Sequence, residues 1–259
     1  MNLTADKIYI ESKGTVLTNN MIINAELKNK FVSPLIVDNI VIKLKNLNIN
    51  EIVSAIRDYE INNFTKHTIS QTVPDINSIL IKNANIFADN IKVKNLEATD
   101  FSSHLTLNDK MELKIDTYNF NMAEGKVFGS IKYNFLNKAL NFGMQVDKTN
   151  AQTIAETLFD LKGQIYGLIT GQVNLNCNGK NHDACVQTLN GNAQFSVIEG
   201  KMPKLGSLEY LLKAGNVVKS GITGLTINSI IDLITPYKTG DFSEIKGDFT
   251  ITNGIADKV

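Results

Sequence analysis

The sequence lacks tryptophan, net charge and any long apolar run. The 259 residues contain no Trp, four Pro and two Cys, and 26 basic residues balance 26 acidic ones. The balance argues against a dedicated nucleic-acid-binding protein, because such proteins bind by neutralising phosphates. No stretch reaches the roughly 18 to 20 apolar residues that a membrane helix needs. A hydrophobic content of 43% excludes a disordered chain. The length of 259 residues allows one large β domain or two smaller ones.

The first residues carry no visible targeting signal. They read M-N-L-T-A-D-K-I-Y-I-E-S, without the basic segment and apolar core of a secretory signal peptide. Two interpretations stay open. The chain is either a cytoplasmic protein or a fragment of a longer chain whose targeting segment lies upstream.

The two cysteines, Cys177 and Cys185, flank the loop N-G-K-N-H-D-A, which contains His182. Three states are open: two free thiols, a disulfide in an oxidising compartment, or a metal site. A metal is disfavoured because two thiols and one imidazole lack a fourth ligand. We therefore predict no metal and no cofactor.

Alternating apolar and polar residues predict β-strands along much of the chain. Met111 to Ile115 alternate in one phase and Tyr118 to Met122 in the other, which indicates a bulge or a new strand. Val127 to Phe135 and Leu140 to Val146 follow after short turns. Links this short predict an antiparallel meander, because parallel strands need longer crossovers.

Three short amphipathic helices are predicted, near residues 50–60, 150–161 and 203–214. Asn48 or Asn50 can cap the first, and Asn150 can cap the second. Six residues align with six others at a constant offset of 102: Ile40, Ile42, Leu44, Asn48, Ile52 and Ile56 with Phe142, Met144, Val146, Asn150, Ile154 and Leu158. This repeat predicts an elongated, modular β assembly. We divide it into an N-terminal β repeat, 1–75, and a C-terminal β region, 76–259.

The C-terminal region contains two related phrases, at residues 189–200 and 245–254. Each has a glycine within alternating apolar residues and ends in a turn-forming pair, Glu199–Gly200 or Asn253–Gly254. Each phrase predicts a strand that enters a hairpin. Glycines at 163, 167 and 171 predict bends or close backbone approach.

The phrase L-K-G-Q-I-Y-G-L-I-T-G-Q-V-N-L-N-C-N-G is followed by V-Q-T-L-N-G-N-A-Q-F-S-V-I-E-G-K and later by F-S-E-I-K-G-D-F-T-I-T-N-G-I-A. Together they resemble the C-terminal region of AsmA-like proteins. The resemblance covers residues 76–259; residues 1–75 are similar to the preceding β repeats of that family, less specifically. The chain lacks the family's N-terminal membrane helix and stops where the family continues, so we expect a fragment.

The resemblance implies a protein on the periplasmic side of the inner membrane of the Gram-negative envelope. AsmA-like proteins belong with the bridge-like lipid transporters, which carry phospholipid in a β groove toward the outer membrane. The implied partners are phospholipid acyl chains, the membrane through a segment missing from this chain, and other envelope proteins. The resemblance also implies a role in outer-membrane assembly and homeostasis. Nucleic acid is not among the expected partners.

We therefore expect a mainly β fold, an elongated and curved antiparallel sheet shaped like a groove, with a few short covering helices. Its candidate lining consists of Ile40, Ile42, Leu44, Leu113, Ile115, Ile131, Tyr133, Phe142, Met144, Val146, Val173, Leu175, Phe195 and Val197. The alternative is a structural or adhesive β-repeat protein in which these residues pack a closed core. Catalysis is not expected, because His67, His104 and His182 are scattered and none lies in a recognisable nucleophile motif.

Overall fold

The computed structural model describes residues 7–16, 19–28, 34–51, 79–93, 95–159, 162–163, 165–179, 182–202 and 240–258. Within these ranges the chain forms twelve β-strands and two short helices, so the predicted mainly β fold is confirmed. It divides into two compact units, residues 1–120 and 121–259. This division lies within a strand, whereas the boundary expected from the sequence, after residue 75, falls in a stretch outside the described ranges.

The first unit contains β1 (Lys7–Val16), β2 (Asn19–Lys28), β3 (Leu35–Asn48), β4 (Ile79–Val93), β5 (Leu96–Leu107) and most of β6 (Glu112–Met122). The second contains β7 (Gly125–Asn134), β8 (Ala139–Asn150), α1 (Ala151–Phe159), β9 (Tyr166–Asn178), α2 (His182–Gln187), β10 (Asn190–Met202), β11 (Gly240–Thr252) and β12 (Ile255–Lys258). In each unit the spatial order of the strands follows the sequence order.

Pairing in the first unit is antiparallel between β1 and β2, β2 and β3, and β4 and β5. The pair β3–β4 is parallel. The residues between these two strands, 49–78, provide a connection long enough for a parallel crossover, which needs a dozen residues or more. The predicted antiparallel sheet is therefore interrupted at this one pair among those described.

In the second unit every described pair from β7 to β12 is antiparallel. The short turn between β7 and β8 predicted this for that pair. Asn253 and Gly254 both have positive φ, 50° and 78°, and form the predicted turn between β11 and β12. The turn predicted at Glu199–Gly200 is wrong. Glu199 has a φ of 52° and lies inside β10, where the register with β9 shifts, so this pair marks a β-bulge.

Both asparagine caps are present. The Asn150 side-chain oxygen accepts a hydrogen bond from the backbone N–H of Thr153 at 3.1 Å, at the start of α1. The Asn48 oxygen accepts one from the N–H of Asn50 at 3.1 Å, and its amide donates to Glu51 at 2.8 Å. The helix predicted near 150–161 is thus confirmed as α1. The one predicted near 50–60 is described only as a helical turn at 49–51, and the one near 203–214 lies outside the described residues.

The carboxylate of Asp38 connects three strands of the first unit. Asp38 is the extra residue where the register of β2 with β3 shifts, and its side chain is 15% exposed. It forms ion pairs with Lys28 on β2 and with Lys82 on β4, the latter at 2.9 Å. The hydrogen bond from Lys28, and then that from Lys82, hold the pKa of Asp38 below its usual value.

We expect the Asp38→Asn variant to be less stable than the native chain at neutral pH. Because the folded-state pKa is lowered, the contribution of Asp38 is present above the unfolded pKa and is lost as the pH falls through the folded one. The gap between the two unfolding curves should therefore narrow as the pH falls below about 4. Urea unfolding at pH 7 and at pH 3 measures the gap. As a control, the Asp89→Asn variant changes an exposed residue of β4 and should be as stable as the native chain at both pH values.

Candidate functional site

The register of the second unit places its apolar candidates in rows on one face of the sheet. Ile131 pairs with Phe142 and Phe142 pairs with Leu175, so these three form one row. The neighbouring row contains Met144 and Val173. The same alternation places all nine candidates of this unit on this surface, which we call the apolar face: Ile131, Tyr133, Phe142, Met144, Val146, Val173, Leu175, Phe195 and Val197.

The apolar face is packed in one part and accessible in another. Val197 is 4% exposed, whereas the other eight candidates are only part-buried. Five apolar residues of this face, on β7, β10 and β11, have exposures of 7% or less: Val127, Val197, Ile245, Phe249 and Ile251. Most of the residues chosen from the sequence therefore keep some exposed apolar surface.

Two glycines make room for the Phe195 ring within the apolar face. Phe195 pairs with Gly171 on one side and with Gly247 on the other. A Cβ at Gly171 would lie 3.1 Å from the Phe195 Cβ, and one at Gly247 would lie 2.5 Å from the Phe195 ring. The ring also stacks on Phe249, with centroids 6.1 Å apart. Gly171 is thus a site of close approach, as predicted. A larger residue at Gly247 would displace the aromatic pair, and one at Gly171 would press on the backbone of β10.

The other five candidates lie in the first unit. Ile40, Ile42 and Leu44 share one face of β3 and are part-buried. Their partners on β4 include Ala84 and Ala88, each 2% exposed. Leu113 and Ile115 are part-buried on β6, and the predicted change of phase occurs inside this single strand, before the buried Tyr118.

Sequence reasoning missed several members of the apolar face. Leu140 pairs with Tyr133 and with Cys177, and Ile169 pairs with Val197. Leu140 continues the period-two alternation of Phe142 and could have been found from it. Ile169 likewise continues the alternation of Val173 and Leu175 through Gly171, because the extra residue at the register shift lies on β8.

Cys177 and Cys185 form a disulfide, with Cα atoms 5.1 Å apart. Cys177 is 5% exposed at the end of β9 and Cys185 lies in α2, so the bond attaches this helix to the sheet. Thr188 adds a hydrogen bond from its hydroxyl to the Asn178 carbonyl at 2.7 Å. Among the described residues no group of three or more His, Cys, Asp or Glu side chains is arranged to hold a metal ion.

Reduction of this disulfide should lower the free energy of unfolding by roughly 2–3 kcal/mol, since the bond closes a short loop. Urea unfolding with and without a phosphine reductant measures the loss. The Cys177→Ser/Cys185→Ser variant should have the same free energy of unfolding as the reduced native chain, and the reductant should not change it. An equal midpoint for the native chain under both conditions would contradict a stabilising role.

The shifted pKa values in the described chain have structural causes. The hydrogen bond from Lys114 lowers the pKa of Asp116, and that from Lys246, followed by one from Ser196, lowers the pKa of Glu244. Burial raises the pKa of Tyr118 to about 12. Ion pairs and burial account for these shifts, so they do not by themselves indicate acid–base chemistry.

The opposite surface of the second unit, which we call the polar face, carries a depression of about 670 Å³. Its lining consists of Phe128, Gln145, Val146, Asp147, Thr170, Gly171, Gln172, Gln194, Phe195, Ser196, Lys246, Gly247 and Asp248. Val146 and Phe195 are the only lipid candidates in it. None of the polar residues here was predicted from the sequence to be functional, although each glutamine alternates with apolar residues along its strand.

Within the described ranges, no helix is both long enough and apolar enough to cross a membrane. Comparison with known proteins found no matching family model, no similar curated protein and no similar solved structure. The similarity to AsmA-like proteins therefore stays a prediction from the sequence.

Proposed function

We propose that this chain is a non-enzymatic protein of the cell envelope that binds phospholipid acyl chains on its apolar face. In this role it takes part in phospholipid transport between the inner and outer membranes. The observation that supports the proposal is the set of eight part-exposed apolar candidates on one face of the second unit. Contiguous exposed apolar surface on a protein commonly marks a binding site.

Acyl chains fit this surface chemically. Successive strand residues point to opposite faces, so one face can be apolar while the other carries amides and charges. Each methylene withdrawn from water contributes about 0.8 kcal/mol. Binding therefore requires no hydrogen bond to the lipid and should tolerate different headgroups.

The disulfide between Cys177 and Cys185 supports an oxidising compartment such as the periplasm, because disulfides persist there and are rare in the cytosol. Attachment to the inner membrane through a segment outside this chain, and contacts with other envelope proteins, complete the proposal. Both come from the resemblance in sequence to AsmA-like proteins.

The competing function is that of a structural or adhesive β-repeat protein without a lipid ligand. Val127 and Phe249, each 1% exposed, favour it for the parts of the face around them. The two proposals differ over the part-exposed rows. These rows bind lipid in the first and pack against other parts of the protein in the second.

Uptake of a fluorescent phospholipid by delipidated, folded protein tests the proposal. We expect saturable uptake that is similar for zwitterionic and anionic headgroups, and phospholipid in the protein as purified. Absence of uptake by protein with native circular dichroism would reject lipid binding for this chain.

A further inference from the structure

Five side chains on the polar face form one continuous row across five strands. Phe128 pairs with Gln145, Gln145 with Gln172, Gln172 with Gln194, and Gln194 with Asp248. Neighbouring strands lie about 4.8 Å apart, so the row presents one side chain at each such step. We call it the glutamine row; it runs along the depression of about 670 Å³.

Hydrogen bonds fix the orientation of the amides in this row. The Gln194 amide donates to the Asp248 carboxylate at 2.9 Å, and the Gln172 amide donates to the Gln194 oxygen at 2.8 Å. A carboxylate only accepts, so Asp248 determines which side of Gln194 faces it, and Gln194 in turn orients Gln172. Each of the two amides keeps a second N–H, and Gln172 keeps its oxygen. The side chain of Gln145 has no hydrogen-bond partner among the residues that the structure describes.

An exposed aromatic ring ends the row. The Phe128 side chain is 40% exposed beside Gln145 and lines the depression. Such a ring offers a flat apolar surface next to a series of planar hydrogen-bonding groups. A pyranose ring has the complementary surfaces, because its C–H face is apolar and its edge carries hydroxyl groups. Its length is also close to the spacing of the strands.

The charges in the depression disfavour an anionic ligand. Lys246 is paired with Glu244 at 2.9 Å, and the remaining charged groups of the lining are Asp147 and Asp248. A phosphate group here would face two carboxylates and a cation that is already paired. Neutral hydroxyl groups can instead donate to Asp147 and Asp248 and exchange hydrogen bonds with the amides.

We propose that the glutamine row binds a neutral, flat oligosaccharide, with one sugar stacked on Phe128 and the chain extending across β8, β9 and β10. Pre-oriented amides reduce the ordering that binding requires. The site lies on the face opposite the acyl-chain surface and does not depend on the proposed lipid function.

Calorimetric titration of the whole chain with cellotetraose and with chitotetraose tests the site. We expect saturable binding to at least one of the two. Phe128→Ala should weaken it by about 10-fold, which corresponds to about 1.4 kcal/mol of lost stacking. Gln172→Ala/Gln194→Ala should weaken it by a similar factor, while Gln187→Ala, an exposed glutamine of α2, should leave it unchanged.

Circular dichroism of each variant verifies that it is folded, and inorganic phosphate should not compete with the sugar. Absence of saturable binding to both tetrasaccharides would overturn the proposal. It would also be overturned if folded Phe128→Ala and the double glutamine variant bound as tightly as the native chain. Phospholipid uptake should be unaffected in the double variant, so failure of one proposal can be distinguished from failure of the other.

Discussion

The Phe142→Asp variant is expected to fold and to lose most of its phospholipid uptake. Phe142 lies in the middle of a row of the apolar face, between Ile131 and Leu175, and is part-buried. A carboxylate at this position keeps contact with water in the free protein. Under a bound acyl chain it would lose that hydration without gaining a partner, which is strongly unfavourable. We expect uptake to fall at least about 10-fold, because desolvation of an unpaired polar group costs more than about 1.4 kcal/mol.

Two further variants make this measurement decisive. Val146→Asp changes another part-buried residue of the same face and should behave like Phe142→Asp. Leu136→Asp changes a side chain that is 67% exposed in the turn between β7 and β8, and uptake should be unchanged. Unfolding of both face variants would favour the packed-core function. Normal uptake by folded Phe142→Asp would reject the apolar face as the lipid site.

The apolar face could be predicted from the sequence because strand residues alternate between two faces. Ile131, Phe142 and Leu175 share a face once their strands pair in register. The caps Asn48 and Asn150 were predictable for a similar reason, since an asparagine at a helix start satisfies a free N–H locally. Features that depend on a single strand or a single turn of helix could thus largely be predicted from the sequence.

Turns and crossovers were less predictable, because a turn dipeptide is also compatible with a strand. Glu199–Gly200 has turn composition but lies in β10 at a bulge, where Gly200 pairs with Phe242 of β11. The parallel pairing of β3 with β4 depends on where a 30-residue connection, 49–78, returns to the sheet, and local sequence does not encode this. Prediction of the disulfide would have required the distance between Cys177 and Cys185, which depends on how α2 packs against β9.

The glutamine row could not be predicted from the sequence, for a related physical reason. Gln145, Gln172 and Gln194 are far apart in the chain and only adjoin through the registers of β8, β9 and β10. Each alone is an ordinary solvent-facing residue of a strand. Their common alignment becomes visible only when three strands are paired.

The Phe249→Ala variant should lose about 3–5 kcal/mol of stability, the largest loss that we expect from a single side-chain truncation. Phe249 is 1% exposed and its ring stacks on Phe195 at 6.1 Å between centroids. Truncation would leave a cavity beside Gly247, which has no side chain to fill it. Urea unfolding measures the loss. Phe128→Ala, in the same unit but 40% exposed, should cost less than about 1 kcal/mol.

Lipid binding should partly offset this loss, because a ligand that binds only the folded state stabilises it by an amount that grows with the free ligand concentration. Addition of phospholipid is therefore expected to raise the unfolding midpoint of Phe249→Ala and of the native chain, but not that of Phe142→Asp. An equal rise in all three proteins would indicate binding away from Phe142. If lipid raised none of the midpoints, the part-exposed rows would be serving only to pack the sheet.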